Sequence, residues 1–454
     1  MNLPRPLLLG REVVDRAARQ SPARLALATF AGVIGLVTLL LLLPQSTATG
    51  QRAPFADALF TATSAVSITG LTVVDTGSYW SGFGQAVILV GIKVGGLGVM
   101  TLASLLGMAV SRRIGLTQRL LTASETKVSR LGEVGSLLQV IVVTSSSLEL
   151  AISVALFPRF LVLHESVGQA AWHAVFYGVS AFNNAGFVPV SGGLALHPGD
   201  WWLGAPIALG VFIGSLGFPV ILNLAQRRTK ARHWSLHTKL TLATSSALWL
   251  AGSVLIGAIE WARADTFGPL GVGGKLLGAV FAGVMPRSGG FATVDVGQMH
   301  EASWLITDAL MFVGGGSAST AGGIKVTTLA VMILAIVAEA RGDRDVEAYG
   351  RRIPPDTVRL AVAVVFIGAT IVLVSSLVLL EVTGEPLDRV LFEAISAFGT
   401  VGLSTGMALP ESAKYLLSAL MFVGRTGTMT VAAALALRDR RRVIRHPEER
   451  PIIG

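Results

Sequence analysis

Long apolar runs alternate with short polar segments along most of the chain. A membrane-spanning helix needs about 20 predominantly apolar residues, and eight segments reach that length: 25–44, 83–110, 134–158, 203–225, 238–261, 303–338, 358–381 and 412–437. The sixth of these is interrupted by a run of small residues. The pattern therefore predicts an all-α integral membrane protein with eight transmembrane helices.

Composition agrees with this interpretation. Of the 454 residues, 52% are hydrophobic and 14% are charged, whereas an ordinary soluble domain carries roughly 25% charged residues. Cysteine is absent, which excludes disulfide bonds and thiolate metal sites.

The basic residues are concentrated in segments that follow every second predicted span. Of the 36 lysines and arginines, 26 lie in these segments, five in each of 1–25, 111–133, 226–239 and 340–359 and six from Arg438 to Arg450. Because cytoplasmic loops are enriched in Lys and Arg, we predict a multi-pass protein of the cell membrane with both termini in the cytoplasm. The net charge of +9 then reflects topology, and nucleic acid is not an expected partner.

A short semi-polar motif recurs in the four segments predicted to face outward. FTATSAVSITGLTVV, FYGVSAFNNAGFVPV and FEAISAFGTVGLSTG each place an aromatic residue ten positions and a serine six positions before a glycine, namely Gly70, Gly186 or Gly402. The third motif, VFAGVMPRSGGFATVD, ends in the same way at Gly290, but Val284 replaces the serine. Spacings of 116, 104 and 112 residues between these glycines indicate an internal repeat.

The repeat predicts how the chain is organised. Each unit consists of a span, a half-helix, a glycine turn and a second span. The predicted units are residues 25–115, 116–230, 231–345 and 346–440, flanked by cytoplasmic segments 1–24 and 441–454. Four such units can close around a common axis, so we expect a pseudo-fourfold pore.

The glycine turns suggest the chemistry of that pore. A chain that re-enters the membrane must hide its turn in protein or in a water-filled cavity. Glycine allows close approach of the backbone, and a ring of carbonyl oxygens can replace the water shell of an alkali cation. A single glycine can equally serve helix packing, but four matching turns at domain-sized spacing favour a cation pore.

An enzyme is the alternative from another class. Intramembrane serine proteases also have Gly/Ser loops beside cavities, but they need a base near the serine, and no histidine lies near Ser317 or Ser319 in the sequence. The chain has neither an HExxH metal motif nor a GxxxxGK[ST] phosphate loop. We therefore expect no enzymatic activity and no cofactor.

Several stretches resemble the superfamily of potassium transporters that includes the Trk, Ktr and plant HKT proteins. They are SITGLTVVD, GGLGVMTL, SAFNNAGF, GSLGFPV, RSGGFATVD, GGGSASTAGGIKVTT, SAFGTVGLSTG and MFVGRTG. The resemblance covers essentially the whole chain, and its eight-span length is similar to the KtrB type of membrane subunit rather than to the longer TrkH type. It implies potassium uptake across the cell membrane as part of a Ktr-type system.

The resemblance implies a selectivity filter built from one glycine of each pore loop. The implied glycines are Gly70, Gly186, Gly290 and Gly402, and the residues before them, Thr69, Ala185, Gly289 and Val401, would supply carbonyls to adjacent sites. Because the turns differ beyond the glycine, we expect one good ion site with weaker flanking sites. Relatives with serine at the first position tend toward Na⁺, so Gly70 favours K⁺. A sodium or non-selective monovalent cation transporter of the same fold is the alternative.

The interruption in the sixth span is the run GGGSASTAGG at 314–323. Each glycine costs up to about 1 kcal/mol relative to alanine in a helix, and broken helices at membrane depth are tolerated only beside a cavity. We predict a loop that crosses the pore, and the resemblance implies that it is the gate. Its candidate residues are Gly314, Gly315, Gly316, Ser317, Ser319, Thr320, Gly322, Gly323 and Lys325. Close helix packing through small residues is the alternative.

Three cations, Lys93, Lys325 and Arg425, lie within or at the ends of predicted spans. A buried cation is costly and should face a cavity or a partner. The resemblance implies that Arg425 lies beneath the filter and sets a barrier to ion flow. We expect Lys325 to anchor the loop, and Lys93 to pair with an acid such as Asp57 or Asp308. Snorkelling to the membrane surface is the alternative for Lys325 and Arg425.

The resemblance also implies partners. It implies a homodimer with one pore in each subunit and a cytosolic ring of KtrA-like nucleotide-binding regulatory subunits on the basic inner face. The lipid membrane is the surrounding medium. K⁺ is the implied transported ion, and Na⁺ activates transport in some relatives.

Overall fold

The computed structural model describes residues 22–98, 134–163, 166–227 and 231–436. The predicted tail 441–454, nearly all of the predicted segment 1–24 and the basic segment 111–133 lie outside these ranges.

Within the described residues, fifteen α-helices follow one another along the chain. The first eight are α1 Pro22–Leu41, α2 Phe55–Ser67, α3 Thr76–Tyr79, α4 Gly82–Gly96, α5 Val134–Leu163, α6 Val167–Phe182, α7 Trp201–Leu216 and α8 Phe218–Arg227. The others are α9 Leu236–Glu260, α10 Val272–Val284, α11 Glu301–Phe312, α12 Val326–Arg341, α13 Pro355–Thr383, α14 Leu387–Gly399 and α15 Glu411–Ala436.

Each predicted span overlaps with at least one of these helices. Three helices of the described chain are long and apolar enough to cross a membrane alone, namely α5 over Gln139–Leu163, α9 and α13. The pair α7 and α8 passes the same test together, and α1, α4 and α10 contain shorter apolar helices. The fold is thus that of a helical membrane protein, and the total of eight spans stays a prediction.

Four short helices, α2, α6, α10 and α14, occupy the positions of the predicted half-helices. They have 13, 16, 13 and 13 residues, which corresponds to about 20–24 Å at 1.5 Å per residue. That is too short for a hydrocarbon core of about 30 Å. Their motif aromatics, Phe60, Phe176, Phe281 and Phe392, are at most 2% exposed. The half-helices therefore form the buried centre of the bundle.

Packing between the helices is cyclic. Each half-helix packs against helices of its own repeat and against a helix from the second span of the preceding repeat: α2 against α15, α6 against α4, α10 against α7 and α14 against α11. Because the half-helix of the first repeat meets the last helix of the fourth, the described helices form a closed ring of contacts.

The prediction of one continuous helix over 203–225 is wrong. The two helices α7 and α8 are bent by 97° at Gly217, which has φ 93° and ψ 148°, a backbone region that is essentially restricted to glycine. A β-carbon at Gly217 would lie 2.5 Å from the Ser317 carbonyl oxygen, and the Phe218 amide donates to the Ala318 carbonyl at 3.2 Å. The bend therefore packs around the interruption of the sixth span.

The all-α class also needs a correction. The described chain includes two antiparallel strands, β1 Val346–Ala348 and β2 Arg351–Ile353. They are joined through Tyr349 and Gly350, whose φ angles are 51° and 70°, as in a type I′ hairpin turn. This hairpin lies in the segment 340–359, which is predicted to be cytoplasmic, and packs against α12.

We expect Gly217→Ala to destabilise the protein because alanine at this φ and ψ is strained by about 1–3 kcal/mol and its β-carbon meets a carbonyl. The measurement is the thermal unfolding midpoint of the protein in detergent. Gly32→Ala is the matched control, since no atom lies within 4 Å of its added β-carbon. Equal midpoints for the two variants would contradict the proposed cause of the bend.

Candidate functional site

The chain reverses after each half-helix through a turn that contains two residues with positive φ. We call residues 68–70, 184–186, 288–290 and 400–402 glycine turns 1 to 4. The last residue of each is the motif glycine, with φ of 86°, 69°, 71° and 95°. The first residue, Ile68, Asn184, Ser288 or Thr400, also has a positive φ, between 49° and 74°. Such a conformation is uncommon for non-glycine residues, so the surrounding packing must hold it.

The motif serine fastens the turn in three of the repeats. The residue before the glycine donates its amide to the serine carbonyl at 2.8 Å in each case: Thr69 to Ser64, Ala185 to Ser180 and Val401 to Ser396. These bonds satisfy carbonyls that the end of a helix leaves without a partner. The hydroxyl adds a second bond in two of these repeats, since Ser180 donates to the Phe187 carbonyl at 2.8 Å and Ser396 accepts from the Gly402 amide at 3.2 Å.

Turn 3 is held by a different carbonyl, because the Gly289 amide donates to the Met285 carbonyl at 2.8 Å and not to that of Val284. Arg287, which is 2% exposed, donates to the backbone carbonyl and the hydroxyl of Ser245 on α9 at 2.6 and 3.0 Å. The Ser288 hydroxyl donates to the Thr400 carbonyl at 2.6 Å. The turn is therefore tied to its neighbours through side chains, in addition to the backbone bonds to the end of its own half-helix. Arg287 was not among the residues predicted to form the site.

The four turns meet one another through their backbones. A β-carbon at Gly70 would overlap the Ala185 carbonyl oxygen, and one at Gly186 would lie 3.2 Å from the Gly289 carbonyl oxygen. A β-carbon at Gly290 would lie 2.6 Å from the Val401 carbonyl oxygen, and one at Gly402 would overlap the Thr69 carbonyl oxygen. The contacts run from turn 1 to turn 2, from turn 2 to turn 3, from turn 3 to turn 4 and from turn 4 back to turn 1. We call this closed set of four glycine turns the glycine ring. The structure thus brings together all the residues assigned to the filter, with a carbonyl group beside each glycine.

The interruption of the sixth span is a non-helical segment between α11 and α12, which we call the 313–325 loop. Its Gly316 amide donates to the Ser215 carbonyl on α7 at 2.7 Å. The Lys325 ammonium donates to the Ala321 and Gly322 carbonyls at 2.7 and 3.3 Å. Of the candidate gate residues, the structure buries Gly314, Gly315, Gly316, Thr320, Gly322 and Gly323 and leaves Ser317, Ser319 and Lys325 partly buried.

The 313–325 loop lies against three of the glycine turns. The Thr320 hydroxyl donates to Asn184 Oδ1 of turn 2 at 3.1 Å, and the Gly322 amide donates to Ser288 Oγ of turn 3 at 3.4 Å. A β-carbon at Gly322 would overlap the Thr400 side chain of turn 4. Each contact is made to the first residue of a turn. The loop therefore lies directly behind the glycine ring, on the side of the half-helix ends.

Arg425 on α15 connects this loop to the first repeat. Its guanidinium donates to the Thr320 carbonyl and, at 3.2 Å, to the Gly95 carbonyl on α4. The residue is 4% exposed. A positive charge is thus held against the same loop residue that contacts turn 2.

The prediction that Lys93 pairs with Asp57 or Asp308 is wrong. Lys93 forms an ion pair with Glu149 at 2.7 Å, and Asp57 pairs with Lys414 at 2.6 Å. Asp308 is 5% exposed, and its Oδ1 atom has no hydrogen-bond partner among the described residues. The sequence analysis overlooked Glu149 although it lies inside a predicted span.

Two carboxylates hold the chain as it leaves the glycine ring. Asp75 accepts hydrogen bonds from the hydroxyls of Ser191 and Ser78 at 2.6 and 2.8 Å, which links the segments after turns 1 and 2. Burial acts to raise the pKa of Asp75, but the hydrogen bonds from these serines outweigh it and hold the pKa below its ordinary value. Glu393 on α14 accepts from the Thr405 amide at 2.8 Å, which folds the segment after turn 4 back onto its own half-helix.

Side-chain clusters offer no metal site in the described part of the chain, where no three His, Asp or Glu residues are placed to hold a metal ion. The carbonyls of the glycine ring are candidate ligands for a cation because of the chemistry of carbonyl oxygen. A helical membrane bundle around such a ring is typical of cation transport proteins. Residues 24–441 match the model of the TrkH family, described as a cation transport protein, and the chain belongs to this family.

Individual relatives match over nearly the whole chain. The Ktr system potassium uptake protein B of Bacillus subtilis is 34% identical over 99% of this chain and 100% of its own length, and that of Vibrio alginolyticus is 35% identical over 97% and 96%. The potassium/sodium uptake protein NtpJ of Enterococcus hirae is 32% identical over 96% and 98%. The crystal structure of the potassium transporter TrkH from Vibrio parahaemolyticus matches in fold, with a TM-score of 0.65 and 17% identity over 91% of this chain and 85% of that one.

The ion pair between Asp57 on α2 and Lys414 on α15 joins the first repeat to the fourth, with side-chain exposures of 11% and 18%. We expect Lys414→Met to lower the free energy of unfolding by about 2 kcal/mol, since breaking a fully buried pair costs about 3–5 kcal/mol and partial exposure reduces that cost. The measurement is thermal or chemical unfolding in detergent.

Arg359→Met is the matched control for this prediction. Arg359 also pairs with an aspartate, Asp356, but the two side chains are 78% and 85% exposed, and such pairs contribute little. A loss of stability in the control that equals the loss in Lys414→Met would show that the inter-repeat pair has no special importance.

Proposed function

We propose that this chain takes K⁺ up into the cell as the membrane subunit of a Ktr-type system, with the glycine ring as its selectivity filter. The observation that carries the proposal is the closure of the four glycine turns into one ring with a carbonyl beside every glycine. Carbonyl oxygens can replace the water shell of a dehydrated alkali cation. The C-terminal ends of α2, α6, α10 and α14 lead into the ring, and their partial negative charges favour a cation there.

Uptake through this ring needs no chemical step. An inside-negative membrane potential favours entry of a monovalent cation by about 2.3 kcal/mol per 100 mV. The protein then has only to replace water around the ion and to control when the path is open. The absence of a recognisable ATP-binding motif in the sequence agrees with such a mechanism.

We propose the 313–325 loop as the gate. Thr320 and Gly322 contact the first residues of turns 2, 3 and 4, so in this arrangement the loop stands across the inner end of the ring. Opening requires the loop to leave these contacts. Its small residues allow such a movement, while Lys325 holds the end next to α12.

Arg425 has two roles in this proposal. Its hydrogen bond to the Thr320 carbonyl stabilises the loop in the position described. Its positive charge also raises the electrostatic barrier for a cation that passes the inner end of the ring.

The relatives support a set of partners. Two of them are named as protein B of a Ktr system, which suggests further subunits in such systems. For this chain we propose a homodimer with one pore in each subunit and a cytosolic ring of KtrA-like nucleotide-binding subunits. The basic segments predicted to be cytoplasmic, including 340–359, would face that ring.

Transport of Na⁺ is the second candidate function. One relative, NtpJ, is named as a potassium/sodium uptake protein, and the four turns of this chain differ in sequence beyond the glycine. A filter with one good ion site discriminates less than a stack of identical rings. The uptake measurements described below, made with and without Na⁺, also test whether Na⁺ activates K⁺ uptake.

We expect the chain to restore growth at low K⁺ in cells that lack their own K⁺ uptake, and Gly70→Ser to lower the ratio of K⁺ to Na⁺ uptake. The serine side chain would displace the Ala185 carbonyl, because a β-carbon at Gly70 overlaps it. One misplaced carbonyl of four should reduce the ratio about tenfold, as expected for a loss of about 1.4 kcal/mol.

Gly406→Ser is the matched control for the filter. Gly406 also has a positive φ of 76°, but nothing lies within 4 Å of an added β-carbon. It therefore shares the backbone strain without touching the ring, and its uptake ratio should equal that of the unsubstituted protein. An equal effect of both substitutions, or of neither, would refute the assignment of the filter.

Deletion of residues 317–320 should raise the rate of K⁺ uptake several-fold at equal protein level in the membrane. The deletion removes the Thr320 contacts to turn 2 and Arg425, and it shortens the loop by four residues, which should weaken its remaining contacts to turns 3 and 4. The measurement is initial uptake of a K⁺ tracer such as Rb⁺. An unchanged rate would count against a loop that obstructs the pore.

A further inference from the structure

The first and second repeats share an ion pair that the proposed filter and gate do not use directly. The ammonium of Lys93 on α4 lies 2.8 and 2.7 Å from the two carboxylate oxygens of Glu149 on α5. It also donates to the hydroxyls of Ser145 and Ser146 at 3.2 Å. The Glu149 side chain is 7% exposed and that of Lys93 is 29% exposed. Charges within a membrane bundle are costly unless they are paired. We therefore expect this ion pair to have a structural or functional role.

Glu149 has a second partner, which leads to the glycine ring. Its Oε1 atom accepts a hydrogen bond from the side-chain amide of Asn183, Nδ2, at 2.8 Å. Asn183 follows α6 and immediately precedes Asn184, the first residue of turn 2. On its other side the Asn183 amide is confined by α4, because a β-carbon at Gly96 would overlap its Oδ1 atom. Asn183 is therefore held between α4 and α5.

The contacts continue from Asn184 to the 313–325 loop and return to α4. Asn184 Oδ1 accepts from the Thr320 hydroxyl at 3.1 Å, and the Thr320 carbonyl accepts from Arg425. Arg425 also donates to the Gly95 carbonyl, two residues after Lys93. A closed circuit of polar contacts thus joins the ion pair, turn 2, the loop and Arg425.

We propose that Lys93 and Glu149 are positioning residues that hold turn 2 against the 313–325 loop. The Glu149 carboxylate orients the Asn183 amide through a charge-assisted hydrogen bond, which is stronger than a neutral one. Lys93 compensates the charge of that carboxylate. The proposal gives neither residue a direct contact with the transported ion. This inference rests on the proposed function of the loop as the gate.

The test uses the full-length protein with Glu149→Gln and Asn183→Leu. Asn183→Leu removes the hydrogen bond to the carboxylate without breaking the ion pair, and Glu149→Gln removes the charge that strengthens this bond. We expect each to raise Rb⁺ uptake about fivefold at equal protein level, the lower end of typical coupling effects. Because Lys93→Gln with Glu149→Gln replaces the charge pair by two amides that can bond to each other, this combination should return uptake toward the original rate.

A double-mutant cycle with Thr320→Val separates positioning from general damage. The effects of substitutions within one hydrogen-bond network are not additive. If the ion pair acts through the contact of Asn184 with Thr320, Glu149→Gln should not raise Rb⁺ uptake further in a protein that has already lost that contact. The double variant should then match the stronger single variant. If the increase in Rb⁺ uptake of the double variant equals the product of the increases of the two single variants, the proposal is overturned.

The ion pair of Arg159 and Asp200 supplies the matched control. It also joins α5 to another helix, with a distance of 2.6 Å, but none of its hydrogen bonds leads to a glycine turn. Asp200→Asn should leave uptake unchanged. A rise in this control equal to that in Glu149→Gln would also overturn the proposal.

Hydrogen–deuterium exchange in detergent provides a readout that does not depend on transport. We expect faster exchange at residues 183–187 and 316–323 in Glu149→Gln and Asn183→Leu, and no change there in Asp200→Asn. If exchange is unaltered, the positioning role is refuted. If exchange rises as expected while uptake does not respond to any variant of the loop, the positioning role stands and the proposed gate fails.

Discussion

Backbone groups that leave a helix inside a membrane have no water to bind, and the whole structure depends on how they are enclosed. Each half-helix ends in a turn whose carbonyls lack helical partners. The structure packs the four turns so closely that glycine alone fits where they touch. The half-helices are buried because they lead to this contact, and the longer helices surround them because the half-helices cannot span the membrane alone.

The sequence predicted the turns well because their determinants are local. The motif residues of each repeat lie within ten positions of one another, so the half-helix and the glycine turn could be inferred from spacing. The convergence of Gly70, Gly186, Gly290 and Gly402 followed from the repeat. The positive φ at Ile68, Asn184, Ser288 and Thr400 could not be predicted, because these four residue types share no property that marks the conformation.

Features that depend on distant partners were missed. Lys93 and Glu149 are 56 residues apart, and the bend at Gly217 is shaped by a loop about one hundred residues further along the chain. Hydropathy measures the length of an apolar run and not its straightness. Glu149 did leave a signal, since it is the only charged residue in the predicted span 134–158, and an acid in such a place needs a partner.

The third turn differs from the other three, with Val284 in place of serine and Arg287 anchored to a neighbouring helix. A pore assembled from four identical subunits repeats every sequence change around its axis. Here the four quadrants are encoded separately, so one codon alters one quarter of the ring. In the proposed filter, ion preference would therefore change in small steps during evolution, and a bound ion would not need to lie on the axis of the ring.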